Sequence, residues 1–334
     1  MSFAHDLDSA ATDQLLDDTI SFLRRFIVFA DDAQPCAIAL WLLHTHALAA
    51  AECTPYLNVE SAEKRSGKSR LLEVLGALAH RSVHVANLSE AALFRMLGSE
   101  PTLLVDEVDA LFASGTERTE ALRGVLNAGN RRGTDVVRCV GPNHTPTPFK
   151  VFSPKALGGI DAGRLPETVR DRSVTLRLKR KVPGERVERL LWPKVRPDAD
   201  ALRERIAEWG EQYVERLTGH EPVLPTELDD RAAEAWWALL AIADLAGGDW
   251  PAKARTAAVE LHAAGVAEDE SRGVLLLTDL RGVFAESLTM FSRDVLDALN
   301  GLDESPWGAW HEGKGLRARD LAKRLKPFAS DPGR

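Results

Sequence analysis

The stretch Tyr56-Leu57-Asn58-Val59-Glu60-Ser61-Ala62-Glu63-Lys64-Arg65-Ser66-Gly67-Lys68-Ser69 decides the reading of this chain. Residues 56–59 have strand character, and Glu60 to Ser66 form a loop. From about Lys68 to Ala79 the apolar residues recur at helical spacing. A strand, a loop closing on Gly-Lys-Ser, and a helix make the context that a phosphate-binding loop requires. Backbone N–H groups of the loop and the helix start would cradle the phosphates. Lys68 would reach the two terminal phosphates of ATP, and the Ser69 hydroxyl would ligate Mg²⁺. The expected nucleotide-binding residues are Ala62, Glu63, Lys64, Arg65, Ser66, Gly67, Lys68 and Ser69. The usual pattern opens on Gly where this chain has Ala62; the added methyl restricts the turn but leaves the Gly-Lys-Ser end intact.

Working outward, the next informative run is Leu103-Leu104-Val105-Asp106-Glu107. An apolar strand over 102–105 suits burial on both faces of a parallel sheet. Asp106 at its end would bind Mg²⁺ through water, and Glu107 would orient and polarise the attacking water. The bland alternative is an acidic cap on a helix start, which the preceding Gly-Lys-Ser makes the weaker reading. Strands are also expected over 82–85, 136–140, 149–152 and 173–178, alternating with helices over 89–97 and 119–127. That succession is the signature of an α/β parallel sheet. It fits the five-stranded order of AAA+ proteins, in which a polar sensor-1 strand inserts between the two Walker strands. Ser153, after the run 149–152, then falls at the sensor position; a turn serine before Pro154 is an equal alternative.

Arg170-Asp171-Arg172 directly precedes the last strand. In AAA+ proteins this corner supplies an arginine finger to a neighbouring subunit, with Arg172 the first choice and Arg170 the second. A surface ion pair with Asp171 or Glu167 is the plainer reading. A finger would require a homo-oligomer, a ring such as a hexamer. A β-hairpin is expected around the turn-rich residues 141–146. Arg131, Arg132 and Arg138 lead into it and His144 and Lys150 flank its tip, so it could grip a DNA backbone through phosphates; a solvated charged face is the alternative. Arg231 begins a helix where a sensor-2 arginine contacting nucleotide would lie; a helix-surface arginine is an equal alternative. Lys179-Arg180-Lys181 has the look of a solvated strand end. His44 and His46 are two apart, and core histidines are favoured over a metal site.

Bulk properties set the limits. The chain has 334 residues, 45% hydrophobic and 28% charged, with a formal net charge of -8. This is a globular composition, and the acidic balance argues against a protein that coats nucleic acid by bulk charge. Cys36, Cys53 and Cys139 form no CxxC, so neither a disulfide framework nor a zinc site is expected, and a cytoplasmic location is. The start of the chain carries Asp6 and Asp8 and no basic leader, and the apolar run 36–43 is too short to span a bilayer, so no membrane association is expected. After Val182-Pro183-Gly184 the texture is helical, over 200–217, 226–246, 253–264, 272–288, 292–300 and 316–326. Four parts follow: an N-terminal helical segment (1–52), an α/β nucleotide-binding core (53–182), a helical lid (183–250) and a C-terminal helical part (251–334). The last is locally basic and resembles an incomplete helix-turn-helix.

Taken together, Leu42-Leu43-His44-Thr45-His46-Ala47, residues 61–69, residues 104–109, Phe152-Ser153-Pro154-Lys155-Ala156-Leu157, Leu165-Pro166 with Asp171-Arg172-Ser173, and residues 241–248 resemble an ATPase domain of unknown function from actinobacterial genomes, phages and integrated elements. The resemblance covers about residues 20 to 328. In that family the domain is often linked to a primase-polymerase module, and its loop commonly lacks the first Gly. The resemblance implies an AAA+-type P-loop sheet with a helical lid, ATP and Mg²⁺ as cofactors, and a helicase or helicase loader in mobile-element replication, with a primase-polymerase as a partner. A nucleotide-dependent interaction or defence switch that unwinds nothing is the competing reading.

Overall fold

The computed structural model describes residues 2–61, 65–85, 90–108, 112, 117–160, 165–285, 287–302, 305–310 and 314–328. Two long helices open it, α1 (Ser2–Phe26) and α2 (Ala33–His46). A strand β1 (Tyr56–Ser61) then leads to α3 (Lys68–Leu78), and β2 (Val83–Val85) to α4 (Glu90–Leu97). After β3 (Leu103–Val105) come α5 (Glu117–Ala128), the hairpin strands β4 (Asp135–Val140) and β5 (Thr145–Lys150), and then β6 (Lys155–Ile160). A short α6 (Glu167–Arg170) precedes β7 (Ser173–Arg177). The remainder is helical: α7 (Trp192–Leu217), α8 (Asp230–Ala246), α9 (Trp250–Phe284), α10 (Ser292–Asn300) and α11 (Ala318–Leu325).

Five strands form a parallel sheet in the order β2-β3-β6-β1-β7, and β4 and β5 pair separately as an antiparallel ribbon. Side chains alternate between its faces, as strand pleating requires. Leu57, Val59, Leu104, Ala156, Val174 and Leu176 pack with α3 and the N- and C-terminal helices. Tyr56, Leu103, Val105 and Leu157 pack on the other side with Phe94, Leu97, Val125 and Leu126 of α4 and α5. The sheet therefore has helices on both faces, as a parallel sheet must to bury its strands.

Three expectations need correction. The run 149–152 is not a strand of the main sheet: β5 ends at Lys150 and belongs to the ribbon. The inserted strand is β6, whose Ala156, Gly158 and Gly159 gave little strand signal. The hairpin itself forms as expected, and Pro146 and Pro148 are tolerated because, among the described residues, no strand pairs with the outer edge of β5. The two helices expected over 253–264 and 272–288 are one continuous α9. Nor do residues 1–52 stand apart, because one core runs from Leu15 through the sheet to Leu261 and joins α1, α2, α7 and α8. Leu276, Val295, Leu299, Trp307, Leu316 and Leu321 form a further cluster, at the far end of α9.

The apolar α2 is the centre of this core. Residues 33–45 are all buried, with α1, α7, α8 and α9 packed around them. Several of its buried polar side chains have partners, as burial favours. Trp41 Nε1 donates to Pro55 O at 2.9 Å, His44 Nε2 lies 2.8 Å from Thr54 Oγ1, and His46 Nε2 donates to Leu78 O at 2.8 Å. These bonds tie α2 to the lead into β1 and to the end of α3. Beneath the sheet, Lys155 is fully buried, with Nζ donating to the carbonyls of Ser153 at 2.8 Å, Val151 at 3.2 Å and Gly129 at 3.3 Å. Its ammonium also lies 4.8 Å from the Tyr56 ring centre. Burial pushes its pKa well below the usual lysine range. No described helix is long and apolar enough to cross a membrane.

Two measurements check this packing. Burial lowers the pKa of His44 and of His46 to about 4, from 6.5 in the unfolded chain. The unfolded state therefore takes up protons first on acidification, so the stabilisation is complete above pH 6.5 and is lost as pH falls towards 4. It is of order 3 kcal/mol for each histidine. The melting temperature should fall steeply across that window, and less steeply in His44→Gln. Separately, Lys155→Met leaves buried carbonyls short of a donor, costs about 3 kcal/mol, and lowers the melting temperature by roughly 5 °C.

Candidate functional site

The site is built where β1 turns into α3. Gly67 takes a left-handed conformation, φ +94°, which admits a side chain only under strain, and it stands at the N-terminus of α3. The first N–H groups of a helix have no partner within it and carry partial positive charge, so this start favours an anion. Lys68 lies over the loop, its Nζ donating to Ser61 Oγ and, at 3.3 Å, to Ser66 Oγ. Ser66 Oγ in turn donates to Ser61 Oγ at 2.8 Å. Ser69 is exposed on the first turn. Ala62, Glu63 and Lys64 lie outside the described residues.

A cavity of about 390 Å³ opens beside this turn, lined by residues 65–70, by Phe26 at the end of α1 with Ile27 and Val28 after it, and by Lys179, Lys181 and Val187 after β7. Among the described residues, five of those lining it are cationic (Arg65, Lys68, Arg70, Lys179, Lys181) and none is acidic. One wall is apolar. This is the composition for a polyanion joined to a flat hydrophobic group. Sequence reasoning missed the apolar wall and treated Lys179 and Lys181 as a solvated strand end; only the return of the chain after β7 brings them opposite the loop. A larger cavity of about 550 Å³ beside α8 is lined by Glu52, Glu221, Asp230 and Glu234 with Arg131 and His220 among alanines and Trp237, so its carboxylates outnumber its cations, unlike the cavity at the loop.

Asp106 and Glu107 follow β3. A side chain on Gly158 would come within 2.7 Å of Leu72 Cδ1 and 3.1 Å of Asp106 Oδ1. The Asp106 carboxylate thus lies over β6, in the layer beneath α3, beside a residue one turn after Ser69. Asp106 Oδ1 accepts from the Glu107 N–H at 2.9 Å, and Glu107 is exposed with a left-handed φ of +53°. Such strain in a non-glycine residue costs roughly 1–3 kcal/mol and clusters at functional sites. Among the described residues no three of His, Cys, Asp or Glu gather as metal ligands. Ser69 and Asp106 are hard oxygen donors that would fit Mg²⁺, which takes few protein ligands and completes its shell with phosphate and water.

The other expected residues do not gather here. Ser153 is buried before β6 starts, its N–H donating to Gly129 O at 3.2 Å. It is Ile160 that pairs with Ser61 at the loop end, seven residues further on and about 23 Å away at strand rise. Ser153 therefore cannot be the sensor; the position after Ile160 is Asp161, outside the described residues. Arg170 and Arg172 lie at the opposite end of the sheet as well, since Tyr56 N–H donates to Arg172 O at 3.1 Å and Ser61 is about 17 Å further along β1. They cannot act on this chain's own loop. Arg172 donates to Thr168 O. Arg231 does not face the loop either. It is 3.4 Å from Glu234 and lines a cavity of about 270 Å³ with Arg170, Arg177 and His262.

The hairpin cations are largely occupied. Arg131 pairs with Glu234. Arg132 donates to Leu48 O at 2.9 Å and Ala51 O at 3.0 Å, and its guanidinium lies 4.5 Å from the Phe152 ring. Arg138 lies over Phe94 at 5.3 Å. His144 and Lys150 are exposed. Arg132 is thus a structural staple, and the five residues do not form one basic strip.

Residues 177–334 match the family described as "Protein of unknown function (DUF3631)". That match begins beyond the loop and beyond Asp106. The chain is also 39% identical, over 152 residues, to an uncharacterized 28.9 kDa protein in the xis 5′ region of Saccharopolyspora erythraea. The match covers 45% of this chain and 57% of that protein, so the chain spans little more than half the length of this curated relative.

Proposed function

We propose that this chain binds and hydrolyses ATP at the β1–α3 turn and works as an oligomeric AAA+-type motor on DNA, a helicase or helicase loader of a mobile element. The observation that carries the nucleotide reading is the placement of Lys68, at a left-handed glycine helix start, and of Asp106, beneath the same helix, with β6 inserted between their strands. The P-loop fold belongs to this proposal. So do its partners, a ring of copies and a primase-polymerase. The xis 5′ region of the S. erythraea relative accords with a mobile-element setting.

On this reading each residue has a defined task. The α3 N–H groups and Lys68 neutralise the phosphates, with Arg65, Lys179 and Lys181 around them, while Ile27, Val28 and Val187 hold the base. Ser69 and Asp106 hold Mg²⁺, which when bound offsets charge developing on the phosphates. Glu107 takes or orients the proton of the attacking water. Because Arg170 and Arg172 stand at the far end of the sheet, they could complete only a neighbouring copy's site. The engagement of Arg131, Arg132 and Arg138 within the chain favours the competing reading, in which ATP controls assembly with another protein and no strand is unwound.

The test is the steady-state ATPase rate with and without single-stranded DNA. The wild type hydrolyses ATP, faster with DNA; Lys68→Ala loses nucleotide binding and activity together. Glu107→Gln keeps binding while hydrolysis falls roughly 10²–10⁴-fold. Hydrolysis indifferent to DNA would support the switch, and undiminished hydrolysis in Lys68→Ala would place the site elsewhere. The arginine corner is tested by mixing. Lys68→Ala and Arg172→Ala, each inactive alone, regain part of the activity when combined, because some interfaces then pair an intact loop with an intact arginine. No recovery would contradict action between subunits.

A further inference from the structure

Residues 314–326 carry Lys314, Arg317, Arg319, Lys323, Arg324 and Lys326 against one carboxylate, Asp320, in a chain whose net charge is -8. Three of these charges line up on one exposed side. Leu321 is buried in the C-terminal cluster and Arg324 lies 4.6 Å from the Trp310 ring, so that side of α11 faces the protein. The lone acid is turned away, since Asp320 Oδ2 accepts the Arg317 N–H at 3.1 Å and caps the helix start. Arg319, Lys323 and Lys326, at positions i, i+4 and i+7, are exposed along a single face, about one helical turn apart. Phe328, 45% exposed, follows the last of them.

We infer that this face of α11 is the chain's nucleic-acid contact, holding successive phosphates of a strand. The inference rests on the DNA reading above and moves the contact from the hairpin to the C-terminal cluster. A face of aligned cations without an apolar centre fits a polyanion rather than a protein interface, which needs a buried apolar core. Phe328 offers a ring beside the phosphate track on which a base can stack.

The face also touches the rest of the molecule. Lys323 is ion-paired with Glu167, the first residue of α6, which ends at Arg170. Both side chains are well exposed, at 66% and 59%, and such a pair is weak enough for a phosphate to displace. Nucleic acid and Glu167 therefore compete for one ammonium, which connects strand binding to the arginine corner.

Fluorescence anisotropy with labelled single-stranded and duplex DNA tests this on the full chain. The wild type binds; Arg319→Glu/Lys323→Glu/Lys326→Glu weakens binding roughly 30-fold or more and lowers the salt dependence by about three phosphate contacts. The single Lys326→Ala, which leaves the Lys323–Glu167 pair untouched, weakens it less but measurably, and circular-dichroism melting verifies that both variants fold. Glu167→Gln tightens binding a few-fold. Undiminished binding in the triple variant, with loss instead in Arg138→Glu/Lys150→Glu, would overturn the assignment to α11 while leaving a DNA-acting protein. A wild type that hydrolyses ATP but binds neither DNA would overturn both.

Discussion

The layer between α3 and the sheet is closed at Gly158, where Leu72 and Asp106 both press against a residue that has no side chain. This close approach gives the Leu72 side chain and the Asp106 carboxylate their places over β6. A β-carbon at Gly158 would displace the ends of the Leu72 and Asp106 side chains. The register agrees, since Val105 pairs with Leu157 and Val59 with Gly158. The loop, the carboxylate and the inserted strand are therefore one mechanical unit. On the proposed reading that unit holds Mg²⁺ and ATP.

Much of this unit was legible in the sequence, because its signals are local. Gly67-Lys68-Ser69 opening an amphipathic helix, and Leu103-Leu104-Val105 ending in two carboxylates, need no tertiary information. What escaped was set by distant contacts. β6 is poor in strand-forming residues before Ile160, and its Gly158 serves close packing under α3 rather than strand propensity. The run 149–152, richer in apolar residues, was mistaken for it and carried Ser153 to the wrong end of the sheet. α9 continues as a helix through Gly265 and its acidic stretch, where sequence alone suggested a break.

The arginines teach the same lesson from the other side. A cation in a sequence carries no label for what it binds. Arg132 spends its guanidinium on two carbonyls and an aromatic ring, and Arg131 on Glu234, both long-range partners. Lys179 and Lys181, by contrast, were passed over and line the cavity beside the loop. At α11, where the sorting of charge is helical and local, the sequence pattern survives folding as an exposed basic face.

The most direct test of the central claim is a calorimetric titration of a slowly hydrolysed ATP analogue, with Mg²⁺ and with EDTA, into the wild type and Gly158→Val. The account predicts one site per chain in the wild type, with Mg²⁺ strengthening binding. It predicts that Gly158→Val, a fully folded protein by melting, loses most of that Mg²⁺ dependence because Asp106 is displaced. No binding by the wild type, or an unchanged Mg²⁺ effect in the folded variant, would contradict it.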